Sequence, residues 1–222
     1  MFSSELTPKA EQTRARIRDA AMRSFMQRGY ADTTIREIAA QAGVSVGNAY
    51  YYFPSKTHLV QELYQQVQRD HARAAVPKLA EGTGLIDRLR IVFETGLDTL
   101  EPYRRVAPGF LAAMIAPDSP INPLARESTA AREQTRSLFQ RAVAGAEHRL
   151  PEDIAERLPD ALFVAFLALV MRWTYDADDQ ERTRRLLSTA LRLLATALPF
   201  VRLPGVRNVT RDLLEQIGEV RA

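Results

Sequence analysis

The feature that most constrains the fold is the spacing of apolar residues, which repeats every three to four positions over most of the chain. Gly and Pro cluster between these periodic segments, and alternating runs of β-branched residues are absent. An amphipathic helix repeats its buried positions with this period, whereas a strand repeats them at every second residue. The pattern therefore predicts an all-α protein whose helices are separated by Gly and Pro turns.

Eleven segments are predicted to be helical. Gly29 and Gly43 are expected to end the first two, and Pro77 is expected to end or kink the fourth. The Thr34-x-x-Glu37 spacing predicts a capping box at the start of the second. The predicted segments are 14–29, 35–42, 46–52, 56–75, 87–100, 104–116, 124–147, 151–158, 160–175, 181–198 and 207–220.

The composition disfavours several classes of protein. The chain has no Cys and three His in separate segments, which removes thiolate zinc sites, iron–sulfur clusters and cysteine nucleophiles. No Gly-rich phosphate loop, GxSxG or HExxH motif is present, so a helical enzyme remains only as a disfavoured alternative. No cofactor and no metal are expected.

The hydrophobic pattern also bears on location. The longest apolar run, 161–171, has eleven residues, whereas a helix that crosses a bilayer needs about 20. The start of the chain is polar and lacks the apolar stretch of a signal peptide. The sequence therefore predicts a soluble cytoplasmic protein without a membrane partner.

The charge of the chain is concentrated at its N-terminal end. The 222 residues carry a formal net charge of +3, and residues 1–58 hold eight basic and five acidic side chains, so the whole excess lies there. A basic unit on a neutral body suggests a polyanionic partner at one end. Arg14, Arg16 and Arg18 lie in this unit, and they either reach such a partner or form a solvated helix face.

Residues 35–52 follow the pattern of a helix-turn-helix. Ile38, Ala39 and Ala42 form the buried side of the first helix, and Gly43 is suited to the positive φ of a sharp turn. Ala49 is expected to face inward on the second helix, which in this motif enters the major groove of DNA. An ordinary corner between two helices of a bundle has the same spacing and is the alternative.

Over residues 11–70 the sequence closely resembles the N-terminal domain of the TetR family of transcriptional repressors. The resemblance implies a three-helix DNA-binding domain at 1–58, a linking helix to about residue 75, and a larger helical-bundle domain at 76–222 for ligand binding and dimerisation. Ala49 departs from the family, which usually has Leu there. The matching residues fall in one register: Phe25, Gly29, Thr33, Thr34, Ile38, Ala39, Ala42, Gly43, Val44, Ser45, Gly47, Tyr50, Phe53, Ser55, Lys56 and Leu59.

The predicted DNA-binding residues lie at the start of both helices and along the second. Capping hydroxyls lie beside free helix amides that can bind phosphate, and Asn48 can read adenine through two hydrogen bonds. Tyrosine hydroxyls can bind phosphate, and a phosphate would explain a lysine at the start of a helix. The predicted set is Thr33, Thr34, Ser45, Val46, Gly47, Asn48, Tyr50, Tyr51, Tyr52 and Lys56.

The resemblance also implies a homodimer and an inducer cavity. Family members pair through the last long helices of the body, and their ligands lie among the helices before these. The predicted dimer residues are Phe163, Phe166, Leu167, Val170, Leu187, Leu191 and Leu194, some of which are expected to fill the monomer core instead. The predicted ligand residues are Phe93, Leu97, Phe110, Met114, Phe139, Phe163 and Trp173.

The predicted function is that of a repressor. It binds a palindromic operator in double-stranded DNA as a dimer and is released by a small-molecule inducer of unknown identity. A constitutive or dual regulator without a ligand is the alternative within the same family.

Overall fold

The computed structural model describes residues 7–115, 119, 122–176 and 181–219. These residues form ten α-helices and no strand, which confirms the predicted all-α class. Short 3-10 helices follow α5 and α9 and precede α7. The α-helices are α1 (Pro8–Arg28), α2 (Ile35–Ala42), α3 (Val46–Tyr52), α4 (Lys56–Leu79), α5 (Leu85–Leu100), α6 (Ala107–Ile115), α7 (Thr129–Ala144), α8 (Glu152–Thr174), α9 (Glu181–Ala197) and α10 (Pro204–Gly218).

A helix end predicted at Pro77 and a break between two helices predicted at Pro159 are wrong. Helix α4 continues through Pro77 to Leu79, and α8 is one helix across Pro159, where two segments were predicted. A proline inside a helix removes one backbone hydrogen bond, but tertiary packing compensates because α8 packs against both α7 and α10. Two predicted helix ends, Ala116 and Val220, lie outside the described residues.

The first unit of the fold packs α1, α2, α3 and the start of α4 around one apolar core. Ile17, Phe25, Ile38 and Leu59 are fully buried in it. Gly43 ends α2 with φ 64°, a left-handed conformation that glycine adopts without strain. This turn sets the crossing of α2 and α3 predicted for a helix-turn-helix.

The second unit is a helical bundle with α5 near its centre. Helix α5 packs against α4, α7, α8 and α9, and its side chains Leu89, Val92 and Leu97 are fully buried. Helix α10 packs on α8. No single helix among the described residues is long and apolar enough to cross a membrane, and the one pair that meets that test jointly, 181–202 with 204–218, is bent by 120°.

A buried arginine links three helices of this bundle. Arg88, in the first turn of α5, donates hydrogen bonds of 2.5 to 2.9 Å to four backbone carbonyls. Two of them, on Leu79 and Gly82, lie at the C-terminal end of α4, and the other two, on Arg141 and Ala142, lie at that of α7. The positive guanidinium thus lies at the negative ends of two helix dipoles.

The buried His71 of α4 predicts a pH-dependent stability. Its Nε2 donates a 2.9 Å hydrogen bond to the carbonyl of Val92. Burial lowers its pKa to about 4, so the ring is neutral at pH 7. Because the unfolded histidine titrates near 6.5, stability is full above that pH and falls as the pH drops toward 4.

We expect His71 to remove about 2 kcal/mol of stability between pH 7.5 and pH 5. Urea denaturation at both values measures this loss, and His71→Gln should have a smaller difference. An equal loss in the two proteins would contradict the assignment to His71.

Candidate DNA interface and ligand cavity

Helix α3 presents most of its surface to solvent. Ser45 caps it, since its Oγ accepts a 3.1 Å hydrogen bond from the amide of Asn48. Ala49 is 1% exposed and anchors the helix to the core, while Tyr51 is 76% exposed. Seven of the ten predicted DNA-binding residues are exposed: Thr34, Ser45, Val46, Gly47, Asn48, Tyr50 and Tyr51.

Tyr52 lies at the edge of this surface. It is half-buried and packs on the helix-turn-helix core. Its ring makes an edge-to-face contact with Tyr51, with 5.2 Å between ring centroids. Tyr52 therefore supports the position of the exposed Tyr51.

The two threonines before α2 have different surroundings. Thr33 is 2% exposed, and its hydroxyl donates a 2.8 Å hydrogen bond to the carbonyl of Gly29. This burial departs from the predicted phosphate contact, because the hydroxyl closes the α1–α2 turn instead. Thr34 is exposed and forms the predicted capping box with Glu37. Hydrogen bonds from the amide and hydroxyl of Thr34 hold the pKa of Glu37 below its ordinary value.

Lys56 also departs from its predicted role. Its Nζ donates hydrogen bonds to the carbonyls of Tyr30 (2.6 Å), Ala31 (3.1 Å) and Thr33 (3.0 Å), and lies 4.3 Å from the centroid of the Tyr30 ring. An ammonium has three N–H donors, so these carbonyls use all of them. Lys56 joins the start of α4 to the α1–α2 turn, and its partners favour a structural role over a phosphate contact.

Three arginines of α1 are likewise engaged within the chain. Arg16 donates to the carbonyls of Ala42 and Gly43 at the end of α2. Arg14 and Arg18 lie 2.8 Å and 3.9 Å from the carboxylate of Glu62 on α4. These contacts hold α1 against α2 and α4.

One exposed cation on α2 was not among the predicted DNA-binding residues. Arg36 lies in the first turn of the helix, two residues after Thr34, and is exposed. Its neighbour Ile35 is buried, so the two side chains occupy different faces of the helix. The one sequence signal for a DNA contact by Arg36 is its position beside a capped helix start.

A cavity of about 470 Å³ lies between the helix-turn-helix unit and the body. It has walls from α1, α4, α6 and α8 and from the segment before α7. Val164, Ala168 and Met171 line it and are also exposed, so it opens toward that side of α8. Its apolar and aromatic lining includes Met22, Val60, Leu63, Val67, Leu100, Phe110, Leu111, Met114, Leu124, Phe163, Phe166, Leu167, Val170 and Trp173.

Four of the seven predicted ligand residues line this cavity, and three do not. Phe110, Met114, Phe163 and Trp173 line the cavity. Phe93 and Leu97 of α5 and Phe139 of α7 are absent from the lining, because they pack in the bundle core, where the rings of Phe93 and Phe139 are in contact. The sequence reasoning missed Met22 and the α4 residues, since it confined the cavity to the body.

Phe110 connects the cavity to the core of the DNA-binding unit. Its ring makes an edge-to-face contact with Phe25 of α1, with 5.4 Å between centroids, and lies 5.8 Å from the ring of Tyr30. Tyr30 is the ring beneath Lys56. A molecule in the cavity therefore contacts a side chain that packs directly on the unit carrying α3.

Comparison with known protein families decides the identity. Residues 17–63 match the family described as bacterial regulatory proteins, tetR family, and residues 88–211 match the tetracyclin repressor-like C-terminal domain. The second match alone covers more than half of the chain. The chain belongs to the TetR family.

Relatives of this TetR-family protein agree in the N-terminal region. The HTH-type transcriptional regulator TtgR of Pseudomonas putida is 43% identical over 67 residues, which are 30% of this chain and 32% of TtgR. The match therefore spans about a third of the length of that relative. It supports the function of the family, transcription regulation through a helix-turn-helix, and not the ligand of TtgR.

Solved structures agree over most of the chain. The fatty acid degradation regulator FadR of Bacillus halodurans has a TM-score of 0.64 at 18% identity, covering 86% of this chain and 96% of FadR. FadR of Bacillus subtilis, solved in complex with stearoyl-CoA, has a TM-score of 0.63 at 17% identity, covering 81% and 96%. At this identity the likeness establishes the fold alone.

The predicted dimer residues of the TetR-family body have little exposed surface in the single chain. Phe163, Phe166, Leu187 and Leu191 are buried within the chain, and Leu167, Val170 and Leu194 are half-buried. Neighbouring faces of the same helices carry exposed apolar and small residues at i, i+4, i+7 and i+11. These two stripes, which we call the α8–α9 face, are Val164, Ala168 and Met171 on α8, Tyr175 directly after it, and Leu186, Ala190, Leu193 and Ala197 on α9.

Proposed function

We propose that this protein is a cytoplasmic repressor that binds a palindromic operator as a homodimer and leaves it when a small molecule enters the cavity. The observation that carries the proposal is the contact of one aromatic side chain, Phe110, with both the cavity and the core beneath the helix-turn-helix. The family resemblance supports DNA binding and dimer formation, and the cavity supports the response to a ligand.

In this proposal the exposed face of α3 enters the major groove. Asn48 and Val46 read base edges, Gly47 allows close approach, and Tyr50 and Tyr51 place their hydroxyls on phosphates. Arg36 and Thr34 add phosphate contacts at the start of α2. Thr33 and Lys56 hold the α1–α2 turn and are no longer assigned to phosphate.

The α3 contacts are tested with two substitutions. We expect Asn48→Ala to weaken binding to the operator and to change base preference at one position, because a base contact is worth about 1–3 kcal/mol. Tyr51→Phe removes only a phosphate hydrogen bond and should weaken binding to all sequences alike. Fluorescence anisotropy with promoter DNA and a set of point-substituted operators measures both effects.

The control for Tyr51→Phe is Gln216→Met, which removes the hydrogen-bonding group of an exposed side chain on α10, outside the α8–α9 face. It should leave DNA affinity unchanged. Absence of salt-sensitive binding to any promoter sequence would contradict the proposed function.

We assign the dimer contact to the α8–α9 face. Exposed apolar residues that align along one side of two neighbouring helices favour burial against a second copy, which would present the same face about a two-fold axis. To read a palindrome in successive major grooves, such a pair must present its two α3 helices about 34–36 Å apart, one helical turn of DNA. Because the cavity opens toward this side of α8, the second copy would also cover its opening.

A charge placed in this face should break the dimer. Leu193 is 71% exposed on α9, so Leu193→Glu should not disturb the monomer fold but would bury a charge in the interface. We expect the dissociation constant of the dimer to rise at least about 100-fold, as measured by sedimentation velocity. Val209→Glu, at 70% exposure on α10 and outside the face, is the control. A dimer that is unaffected by Leu193→Glu would place the interface elsewhere.

The response to a ligand follows from linkage. A molecule that binds the cavity changes DNA affinity only by its different affinity for the DNA-bound and free conformations. Its contact with Phe110 would shift α6 against α1 and so move the helix-turn-helix units relative to each other. A volume of about 470 Å³ is within the range of pockets that enclose drug-sized molecules.

A further inference from the structure

The cavity wall contains an unsatisfied hydrogen-bond donor. Trp173, the single tryptophan of the chain, is fully buried and lines the cavity. Its Nε1 is buried and has no hydrogen-bond partner among the described residues. Leaving such a donor unpaired costs about 1–3 kcal/mol, and an acceptor on a bound molecule would recover this free energy.

The rest of the described lining carries no formal charge. Its polar groups are amides, hydroxyls and the indole, contributed by Tyr64, Gln68, Tyr103, Asn122, Thr135, Trp173 and Thr174. Burial raises the pKa of both Tyr64 and Tyr103, so both phenols stay neutral at physiological pH. The hydroxyl of Thr135 is committed to a hydrogen bond with the side-chain oxygen of Gln68.

Arg104 lies beside the indole, but its guanidinium is engaged elsewhere. The guanidinium of Arg104 lies 6.0 Å from the Trp173 ring centroid, outside the lining. Its Nη2 donates to the carbonyl of Asp176, and its Nη1 lies 3.8 Å from the carboxylate of Glu101. Two further guanidiniums outside the lining act on its phenols, that of Arg132 on Tyr64 and that of Arg18 on Tyr103. Arg132 donates hydrogen bonds to the carbonyls of Pro123 and Ala125, and Arg18 lies 3.9 Å from the carboxylate of Glu62. A carboxylate inside the cavity would therefore lose its hydration and would have to compete with oxygens of the chain for a charged partner, which is costly.

We propose that the cavity takes a neutral, largely apolar molecule with one hydrogen-bond acceptor, such as a ketone or ester oxygen, which accepts a hydrogen bond from Nε1 of Trp173. This inference rests on the proposed function, because it names the chemical class of the molecule that releases the DNA. A free fatty acid, ionised at neutral pH, is excluded from the cavity on these terms, as is an organic cation.

Four probes of one chain length separate the possibilities. They are decan-2-one, its isostere 2-methyldec-1-ene without the oxygen, decanoate, and decylammonium. Each is titrated into the full-length protein at pH 7.5, and binding is followed by Trp173 fluorescence and by isothermal titration calorimetry. We expect decan-2-one to shift the emission of Trp173 and to bind at least about tenfold more tightly than either charged probe.

The hydrogen bond is tested by Trp173→Phe. The variant should lose about tenfold in affinity for decan-2-one, measured by calorimetry, and little for 2-methyldec-1-ene, because only the ketone uses Nε1. Phe163→Leu changes the apolar lining alone and should weaken both probes alike. Circular dichroism checks that each variant is folded. If Trp173→Phe does not fold, the comparison of decan-2-one with the two charged probes on the natural protein tests the inference.

Three results would overturn the inference. The first is that decanoate or decylammonium binds as tightly as decan-2-one. The second is that Trp173→Phe loses the same affinity for the ketone as for the alkene. The third is that no probe binds. Operator binding is measured on the same samples. If it persists in these cases, only the ligand class fails, whereas its absence would contradict the proposed function itself.

Discussion

Arg88→Met is expected to lower the free energy of unfolding by about 3–5 kcal/mol. The substitution keeps an apolar stem of similar length but leaves four carbonyls, at the ends of α4 and α7, without their donor. Each unsatisfied buried carbonyl costs about 1–3 kcal/mol, and partial hydration of the most accessible ones reduces the sum. Urea denaturation followed by circular dichroism measures the loss.

Gly145→Ala tests the same contact from the other side. A Cβ on Gly145 would overlap with Nη2 of Arg88, so the guanidinium would have to leave its carbonyls. Gly145 has φ −89°, which alanine adopts without strain, so the expected loss comes from this overlap alone. Gly205→Ala, where a Cβ meets no atom within 4 Å, is the control and should be neutral or slightly stabilising.

The two effects should not add. Once Arg88 is replaced by methionine, Gly145→Ala should cost much less than it does in the natural protein, because the group it displaces is gone. Additive losses would mean that Gly145 acts independently of Arg88.

Lys56→Met should destabilise the protein by about 2–3 kcal/mol. The variant keeps the stem of the side chain, but it removes three charge-assisted hydrogen bonds to the α1–α2 turn and the contact with the Tyr30 ring. Lys78→Met, at an exposed lysine near the end of α4, is the control and should change stability by less than about 0.5 kcal/mol.

The salt dependence of DNA binding separates this role from a phosphate contact. A lysine that neutralises a phosphate contributes about 0.9 to the slope of log affinity against log salt. We expect Lys56→Met to weaken DNA binding while leaving that slope unchanged, because the turn before α2 is less well fixed. A slope reduced by about 0.9, with stability unaffected, would instead indicate that Lys56 contacts a phosphate.

The helix-turn-helix could be predicted closely because its signals are local. The Thr34–Glu37 capping box, the left-handed Gly43 and the cap at Ser45 each depend on residues a few positions apart, and all three are observed. The roles of Thr33 and Lys56 depend instead on which atoms the turn brings beside them. A hydroxyl or an ammonium has the same appearance in sequence whether it binds a phosphate or a carbonyl of its own chain.

The body was predicted less well because its helices are apolar on more than one side. Phe166 of α8 packs in the core, while Met171, five residues later, is exposed. Periodicity identifies such a helix but does not indicate which of two apolar faces remains uncovered by the chain. The α1 and α4 walls of the cavity were not predicted, because the sequence analysis treated α1 as part of the DNA-binding domain and α4 largely as a linking helix.

Helix α4 has one further consequence, for how the protein unfolds. Its first turns belong to the core beneath α3 through Leu59 and Leu63, and its last turns belong to the bundle core through Ala75 and Leu79. Neither unit can lose its structure without fraying a helix that the other needs, so thermal melting should be a single cooperative transition. A molecule that stabilises the bundle would then slow amide hydrogen exchange in α3 as well, even while it releases the DNA.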